Sequence, residues 1–445
     1  MDHTSFDLNT PIDLPGELGF HPVSDSVVVV VAPLVANWVT LTTAETRLLE
    51  VLSAGLTPNE AVAAIGAADC GGAATAMLDL KSLLEKIVSA RFFASFVAHD
   101  QIQKNVAHLY LTNACNLRCK HCYMKSGLAE PHSLATQDWL DFLREFKAYG
   151  GTHVNLSGGE ALYYEGFWEI LAECKRLQLY TYVLSNGLLV DDDAAKRIAD
   201  AAYQIQISID GPTAKSNDSL RGRGAFKKAL TGLYHFRGLD VAVRVAMIAT
   251  PSTIEDYEEN FVDFAATLYR DFGDKLQLRL SVDVIEGRSV NRYTPDVKEA
   301  LQKRVDVLFD RLWGYDTRAH SDAIAYKRGL LNRNCGFGRE ISVKSTGEVY
   351  PCPIQITPIG TLGSSDVAEL FRRTRIEDRD KQIDNFSDCK GCDLRYLCGG
   401  GCRVANFQMT GDYRKPYFCN DSYKASIYRR LAGADALVAV SVENT

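Results

Sequence analysis

The amino-acid sequence predicts an α/β protein in three parts: a small winged helix-turn-helix domain, a parallel sheet of βα units either open or curled into a partial barrel, and a cysteine-rich tail. Three observations carry this. From about residue 104, short β-branched stretches alternate with segments of helical periodicity. Residues 1–100 hold twelve acids and four bases, a net charge of −8, while the whole chain is at −7, so the remaining 345 residues sit near +1. Seven of the twelve cysteines fall between Cys335 and Cys419, and three more between Cys115 and Cys122.

The first hundred residues read as strands followed by helices. Val27–Val31 and Trp38–Leu41 are expected to pair as a hairpin. Thr43 is an N-cap candidate before Leu48, Leu49, Val51 and Leu52, an apolar face at helical spacing. Thr57-Pro58 opens a second helix, with proline in the first turn where its missing N–H costs nothing. Ala73–Lys86 gives a third, and Arg91–Val97 is expected to close the domain as a strand. The core strands expected are Val106–Thr112, Val154–Ser157, Tyr180–Leu184, Gln204–Ile209, Val241–Ile248 and Leu276–Val284. Helices such as Thr136–Tyr149, Phe167–Leu177 and Asp191–Ala202 separate them, and Pro295–Tyr315 leads out. Ligands of such sheets sit at the carboxyl ends of the strands, so the loops there are where chemistry belongs.

Composition narrows the function. With 46% hydrophobic and 24% charged residues the chain is an ordinary globular protein. Its longest apolar run, Val27–Ala36, contains Pro33 and falls short of the roughly 20 residues of a membrane span, so no membrane partner is expected. Residues 1–20 carry four acids and no Lys or Arg, which predicts no secretory signal and a cytoplasmic location. Thiols stay reduced there, so clustered cysteines point to metal or redox chemistry. A domain at −8 repels a phosphate backbone, and no nucleic-acid partner is expected.

Cys115, Cys119 and Cys122 directly follow the first core strand in the spacing C-x3-C-x2-C. Four thiolates complete the usual coordination of a [4Fe–4S] cluster; three leave one iron open to a small molecule. A zinc site would need His121 as its fourth ligand. This spacing, at this place in a βα domain, resembles the radical S-adenosylmethionine (SAM) family, whose core is a partial (β/α)6 TIM-like barrel. The resemblance implies that Gly158, Gly159 and Glu160, after the second strand, hold the methionine amino group of SAM; glycine there lets the backbone approach closely. Ser185-Asn186-Gly187 ends the third strand, and Ile207–Gly211, with Ser208, ends the fourth. Arg221, eleven residues beyond Asp210, is implied to pair with the SAM carboxylate, a geometry suited to guanidinium. Ile285-Glu286-Gly287-Arg288 resembles a further family element. The chemistry implied is reductive cleavage of SAM to a 5′-deoxyadenosyl radical that abstracts hydrogen from substrate, with the cofactor supplying the hard step and the protein the orientation.

The tail reads Cys335, then Gly347-x4-Cys352, then Cys389-x2-Cys392-x5-Cys398-x3-Cys402, and Cys419. This resembles the SPASM domain of radical SAM maturases. The resemblance implies one auxiliary iron–sulfur cluster on Cys389, Cys392, Cys398 and Cys419 and a second on Cys335, Cys352 and Cys402. Both are expected to be [4Fe–4S]; because the position of an eighth cysteine in some relatives is Ile341, the three-cysteine one is expected to be completed by a non-cysteine ligand or left open, with [2Fe–2S] as its alternative. A zinc ribbon is the alternative for C-x2-C and C-x3-C alone. Cys70 and Cys174 fall on helical stretches as small hydrophobes, and His121 is expected to pack beside the cluster.

In sulfatase-maturing relatives an aspartate follows the G-x4-C cysteine as base; here Pro353 stands there, which argues against formylglycine formation. No catalytic base is assigned: Asp210 and Asp283 lie at strand ends and are expected to shape the pocket or the fold. The acidic first domain resembles the RiPP recognition element, a domain like the pyrroloquinoline quinone peptide chaperone, which takes the leader of a ribosomally made peptide as an added strand. Val27–Val31 would be the exposed edge, and the charge predicts a basic leader. The expected domains are 1–100 for leader binding, 101–312 for the radical SAM core, 313–334 as helical linker and 335–445 for SPASM. The expected product is a thioether or carbon–carbon crosslink in a precursor peptide, with flavodoxin or ferredoxin as electron donor. A radical SAM enzyme acting on a folded protein or small molecule, and a zinc-ribbon nucleic-acid-binding protein, are the alternatives.

Overall fold

The computed structural model describes residues 6–68, 72–100, 104–282, 287–289, 293–315 and 326–442. The chain forms two compact units. One comprises Met1–Ile102, Ala325–Cys335 and Asp380–Thr445; the other comprises Gln103–Ile324 and Gly336–Arg379.

The second unit is built on six parallel strands in chain order: Val106–Tyr110, His153–Ser157, Tyr180–Ser185, Gln204–Ser208, Ala242–Ile248 and Leu276–Ser281. Each lies within a residue or two of its expected position, apart from the sixth, whose expected end at Val284 lies outside the described residues. Ala107, Leu109, Leu156, Val183, Ile205, Ile207, Val243, Val245 and Leu278 are buried against Trp139, Phe146, Phe167, Ile198, Leu233 and Phe261 of the helices. The alternate positions are polar: His108, Asn155, Tyr182, Gln206, Arg244 and Arg279. A doubly wound open sheet is apolar on both faces. Most of the apolar residues here share the face that the helices cover, and the opposite face is largely polar and left for ligands.

The sheet does not stop at six strands. Glu340–Val343 pairs parallel with the first strand, Ser342 opposite His108, and continues antiparallel into Glu348–Tyr350 and Gly360–Thr361, for nine strands in all. Helix Val367–Arg379 covers this extension through Val367, Leu370 and Phe371. Residues expected as part of a separate tail domain therefore complete the core sheet. They were read as turns because Gly and Pro punctuate strands of only two to four residues.

In the first unit, Val27–Ala32 is the central strand of a three-stranded antiparallel sheet, flanked by Gly19–Pro22 and Asn37–Thr42. The expectation of an exposed edge at Val27–Val31 is thus corrected: Gly19–Pro22, too short and too rich in Gly and Pro to read as a strand, covers it. Thr42 rather than Thr43 caps helix Thr43–Ser53. Its hydroxyl accepts from the Glu45 N–H, and the Glu45 carboxylate accepts from the Thr42 N–H at 2.7 Å. Helices Pro58–Ala68 and Gly72–Ser89 follow as expected. Arg91–Val97 is turn rather than strand, with Arg91 at φ 50° where the third helix ends.

Five consecutive valines are explained by burial on both faces of the central strand. Val28 and Val30, with Val39 and Leu41 of the neighbouring strand, pack on the three helices. Val29 and Val31, with Trp38, pack on Phe386, Leu394, Leu397, Ile427 and Leu431 from the cysteine-rich tail. The Trp38 indole N–H donates to the Leu431 carbonyl at 3.2 Å. The sheet and the tail thus share one core, so residues 1–100 do not form a free-standing unit. Among the described residues no helix is long and apolar enough to cross a membrane.

Trp38→Ala removes the largest side chain of the shared core and is expected to cost about 3–5 kcal/mol. Limited proteolysis should then cut within residues 380–434 at lower urea than in the parent chain; unchanged resistance there would contradict the shared core.

Candidate functional site

The loop after the first strand carries Cys115, Cys119 and Cys122, and all three line a cavity of about 380 Å³ at the carboxyl ends of the parallel strands. Backbone bonds set the loop: the Cys115 N–H donates to the Gly127 carbonyl at 3.1 Å and the Gly127 N–H to that of Asn113 at 3.0 Å. The second-strand loop packs directly beneath. The Gly159 N–H donates to the Thr112 carbonyl at 2.7 Å and the Glu160 N–H to that of Ala114 at 3.0 Å. Gly158 has φ 151°, and a Cβ there would stand 2.5 Å from the Thr112 carbonyl; one on Gly159 would collide with that of Ala114. Only glycine allows this approach.

Glu160 is buried, and its carboxylate accepts from the Asn186 N–H at 2.7 Å, the Ser185 hydroxyl at 2.8 Å and the Leu162 N–H at 3.2 Å. Burial raises its pKa in spite of these donors. Glu160 therefore joins the second-strand loop to the third, while still lining the cavity. Asn186 reaches onward, its amide donating to the Asn116 side chain at 2.7 Å.

Asp210, at the end of the fourth strand, is buried between Arg221 Nε at 2.6 Å and His121 Nε2 at 3.0 Å. Burial would raise its pKa, but the charges of Arg221 and His121 outweigh that and hold it at about 2. His121, expected only to pack, instead ties the cysteine loop to the fourth strand. Arg221 spends Nε on Asp210, and among the described residues its terminal nitrogens make no hydrogen bond. It lines the cavity with Ser185 and Ser208. Gly287 and Ser289 latch the cysteine loop from behind. A Cβ on Gly287 would stand 2.6 Å from the His121 carbonyl, and the Ser289 N–H donates to the Lys120 carbonyl at 2.7 Å. Arg288 donates to the Ser126 carbonyl. Asp283, Ile285 and Glu286 lie outside the described residues, as does Cys70; Cys174 is buried as expected.

In the first unit, Cys389, Cys392, Cys398 and Cys419 are mutual neighbours. Burial first, then the charges of Cys398, Cys392 and Cys419, push the Cys389 thiol up to about 12. Arg403, which sequence reasoning missed, shapes the Cys398–Cys402 turn. Fully buried, it donates to four carbonyls, those of Lys381, Gly399, Gly401 and Arg333, and stacks 4.4 Å from the Phe386 ring. Its burial could not be read from a charged letter beside a cysteine. Cys402 caps helix Arg403–Thr410, its sulfur accepting from the Ala405 N–H at 3.5 Å. Cys335 is exposed. Cys352 lies in the other compact unit, at the end of the added hairpin, where its charge acts on Tyr110 and Tyr123.

Among the described residues no three His, Cys, Asp or Glu side chains are gathered around a point suited to one metal ion. The donor chemistry does suit clusters, in which each thiolate takes a separate iron. Burial pushes Cys115 up to about 11 and raises Cys119, so these thiols lose their protons readily only to a bound cation. Cys115, Cys119 and Cys122 would hold one cluster, and Cys389, Cys392, Cys398 and Cys419 another.

Residues 109–265 match the model of the Radical SAM superfamily. It is 28% identical over 314 residues to mycofactocin maturase MftC of Mycolicibacterium smegmatis, covering 67% of this chain and 77% of that one. It is 26% identical over 276 residues to the sporulation killing factor maturation protein SkfB of Bacillus subtilis, covering 60% and 65%. SuiB of Streptococcus suis, solved bound to S-adenosylmethionine, shares the fold with a TM-score of 0.53 at 17% identity, covering 91% of this chain and 98% of that one. SuiB has also been solved bound to its precursor peptide SuiA.

Asp210 carries a pH signature. Its pKa falls from 3.8 to about 2 on folding, so its ion pairs stabilise the fold fully above pH 3.8 and the benefit is lost as pH falls through 2, about 2 kcal/mol in all. Asp210→Asn is expected to lower Tm at pH 6 and to flatten the decline of Tm between pH 4 and 2; an unchanged acid limb would contradict the assignment.

Proposed function

We propose that this chain is a radical SAM maturase of a ribosomally made precursor peptide. The observation that carries the reading is the convergence of Cys115, Cys119 and Cys122 with Gly158, Glu160, Ser208 and Arg221 on one cavity at the strand ends. Cys115, Cys119 and Cys122 would hold a [4Fe–4S] cluster, which when bound and reduced would supply the electron for cleaving SAM. The chain's own residues do the rest. The Gly158–Gly159 backbone lies close enough for a ligand to bond with it, and Arg221, oriented by Asp210, offers its terminal nitrogens to a carboxylate.

Relatives named as maturases support a peptide substrate. In this reading the first unit holds a recognition element for the leader and, on Cys389, Cys392, Cys398 and Cys419, an auxiliary cluster. Strand addition would use the outer edge of Asn37–Thr42. That edge is occupied at present: Arg328 Nε donates to the Trp38 carbonyl at 3.1 Å, and the Gly329 N–H to that of Ala36 at 3.1 Å. A leader takes the place of these two donors, and its basic residues meet the acidic segment 1–100, which carries −8. The product is a crosslink, thioether or carbon–carbon, made with loss of two hydrogens, with electrons from a flavodoxin or ferredoxin.

After anaerobic reconstitution the protein should be brown, carry about eight to twelve irons, and convert SAM to 5′-deoxyadenosine when reduced with dithionite. The triple variant Cys115→Ala, Cys119→Ala, Cys122→Ala should lose about four irons and all SAM cleavage while keeping the visible absorbance of the tail clusters. A colourless protein containing zinc would overturn the reading.

A further inference from the structure

We infer that Arg279 binds a carboxylate of the substrate peptide, so that the segment presented to the cavity carries an acidic side chain beside the residue that reacts. The inference rests on the peptide-maturase reading and narrows its substrate class.

Arg279 lies on the sixth strand and lines the cavity with Ser281, Ala246 and Ile248. It is opposite Ala246, which is opposite Ser208. With strands about 4.8 Å apart, Arg279 stands about 10 Å across the sheet from the fourth-strand end that carries the SAM-pocket residues. The other charges at this site are committed. Asp210 is held by Arg221 and His121, and Glu160 by Ser185 and Asn186. Arg244, one layer below, donates to Gln277 at 2.9 Å, and Arg288 to the Ser126 carbonyl. Arg279 differs: among the described residues its guanidinium has no acid, carbonyl or amide partner.

A guanidinium that faces a cavity with no counter-charge among the described residues attracts anions, and its planar fork matches a carboxylate. The small neighbours Ala246 and Ser281 leave room beside it. Two carboxylates could reach the cavity, that of SAM and that of a peptide. Arg221 and Ser208 already stand at the fourth-strand end for the first, two strands away, which leaves Arg279 for the second. A leader met by an acidic domain and a reacting segment met by Arg279 together describe a precursor basic at one end and acidic at the other.

The test is labelling of the reconstituted full chain with phenylglyoxal, an arginine reagent, mapped by mass spectrometry. The probes are acetyl-Gly-Glu-Gly-amide and acetyl-Gly-Gln-Gly-amide, each with and without SAM. Arg279 is expected to label faster than Arg221 or Arg288. The glutamyl tripeptide should slow its labelling several-fold, with SAM present or absent, and the glutaminyl tripeptide should not. In saturation-transfer NMR, Arg279→Gln should abolish the glutamyl signal and Arg279→Lys retain part of it. Equal protection by both tripeptides, slow labelling of Arg279, or full protection by SAM alone would each overturn the assignment. Reductive SAM cleavage by the same preparation separates the two claims: cleavage without selective protection overturns Arg279 only, whereas absence of cleavage overturns the reading beneath it.

Discussion

A buried carboxylate organises the cavity. Asp210 is buried away from bulk solvent and depends on Arg221 and His121, which come from the helix after the fourth strand and from the cysteine loop after the first. Removing either partner would leave an uncompensated charge in a low-dielectric site. The position of the cysteine loop is therefore fixed by charge pairing across the sheet as much as by its own turns. Glu160 does the same between the second and third strand ends through Ser185 and Asn186. The two acids draw four loops to one point, and the side chains left with free polar groups, Arg221 foremost, are those a ligand would meet.

The same economy governs the first unit. Its central strand of valines is buried on both faces, against three helices on one side and the cysteine-bearing tail on the other. A thiol set such as Cys389, Cys392, Cys398 and Cys419 needs a rigid frame, because burial and then its three neighbours oppose ionisation of Cys389. Arg403 supplies part of that frame by gathering carbonyls that a loop of three glycines would otherwise leave to solvent. Trp38 supplies another part by anchoring the helix Asp421–Val442 through the Leu431 carbonyl. Any peptide held by the sheet would thus be held by the unit that carries these four thiols.

Much of this was legible in the sequence. The six core strands were legible because β-branched runs between helical periods leave few other readings, and the cysteine spacings marked both thiol sets because metal ligation constrains separation along the chain. Gly158 and Gly159 were legible as a close-approach loop. Thr42 was misplaced by one residue, since adjacent threonines differ only in the backbone conformation that frees one to cap. Gly19–Pro22, Glu340–Val343 and Glu348–Tyr350 escaped because strands this short owe their existence to partners distant in the chain. His121 and Arg403 escaped because pairing and burial are properties of surroundings that residue identity does not carry.

The sequence by itself determined the alternation of strand and helix, the thiol spacings and the uneven charge, all of which are local or compositional. The tertiary structure decided which face of the sheet is polar, that the tail and the first domain share a core, that the hairpin after Cys335 completes the core sheet, and which of the arginines around the cavity have partners. Those facts depend on contacts between residues tens to hundreds of positions apart, and free energies of burial and charge pairing exist only once such contacts are made.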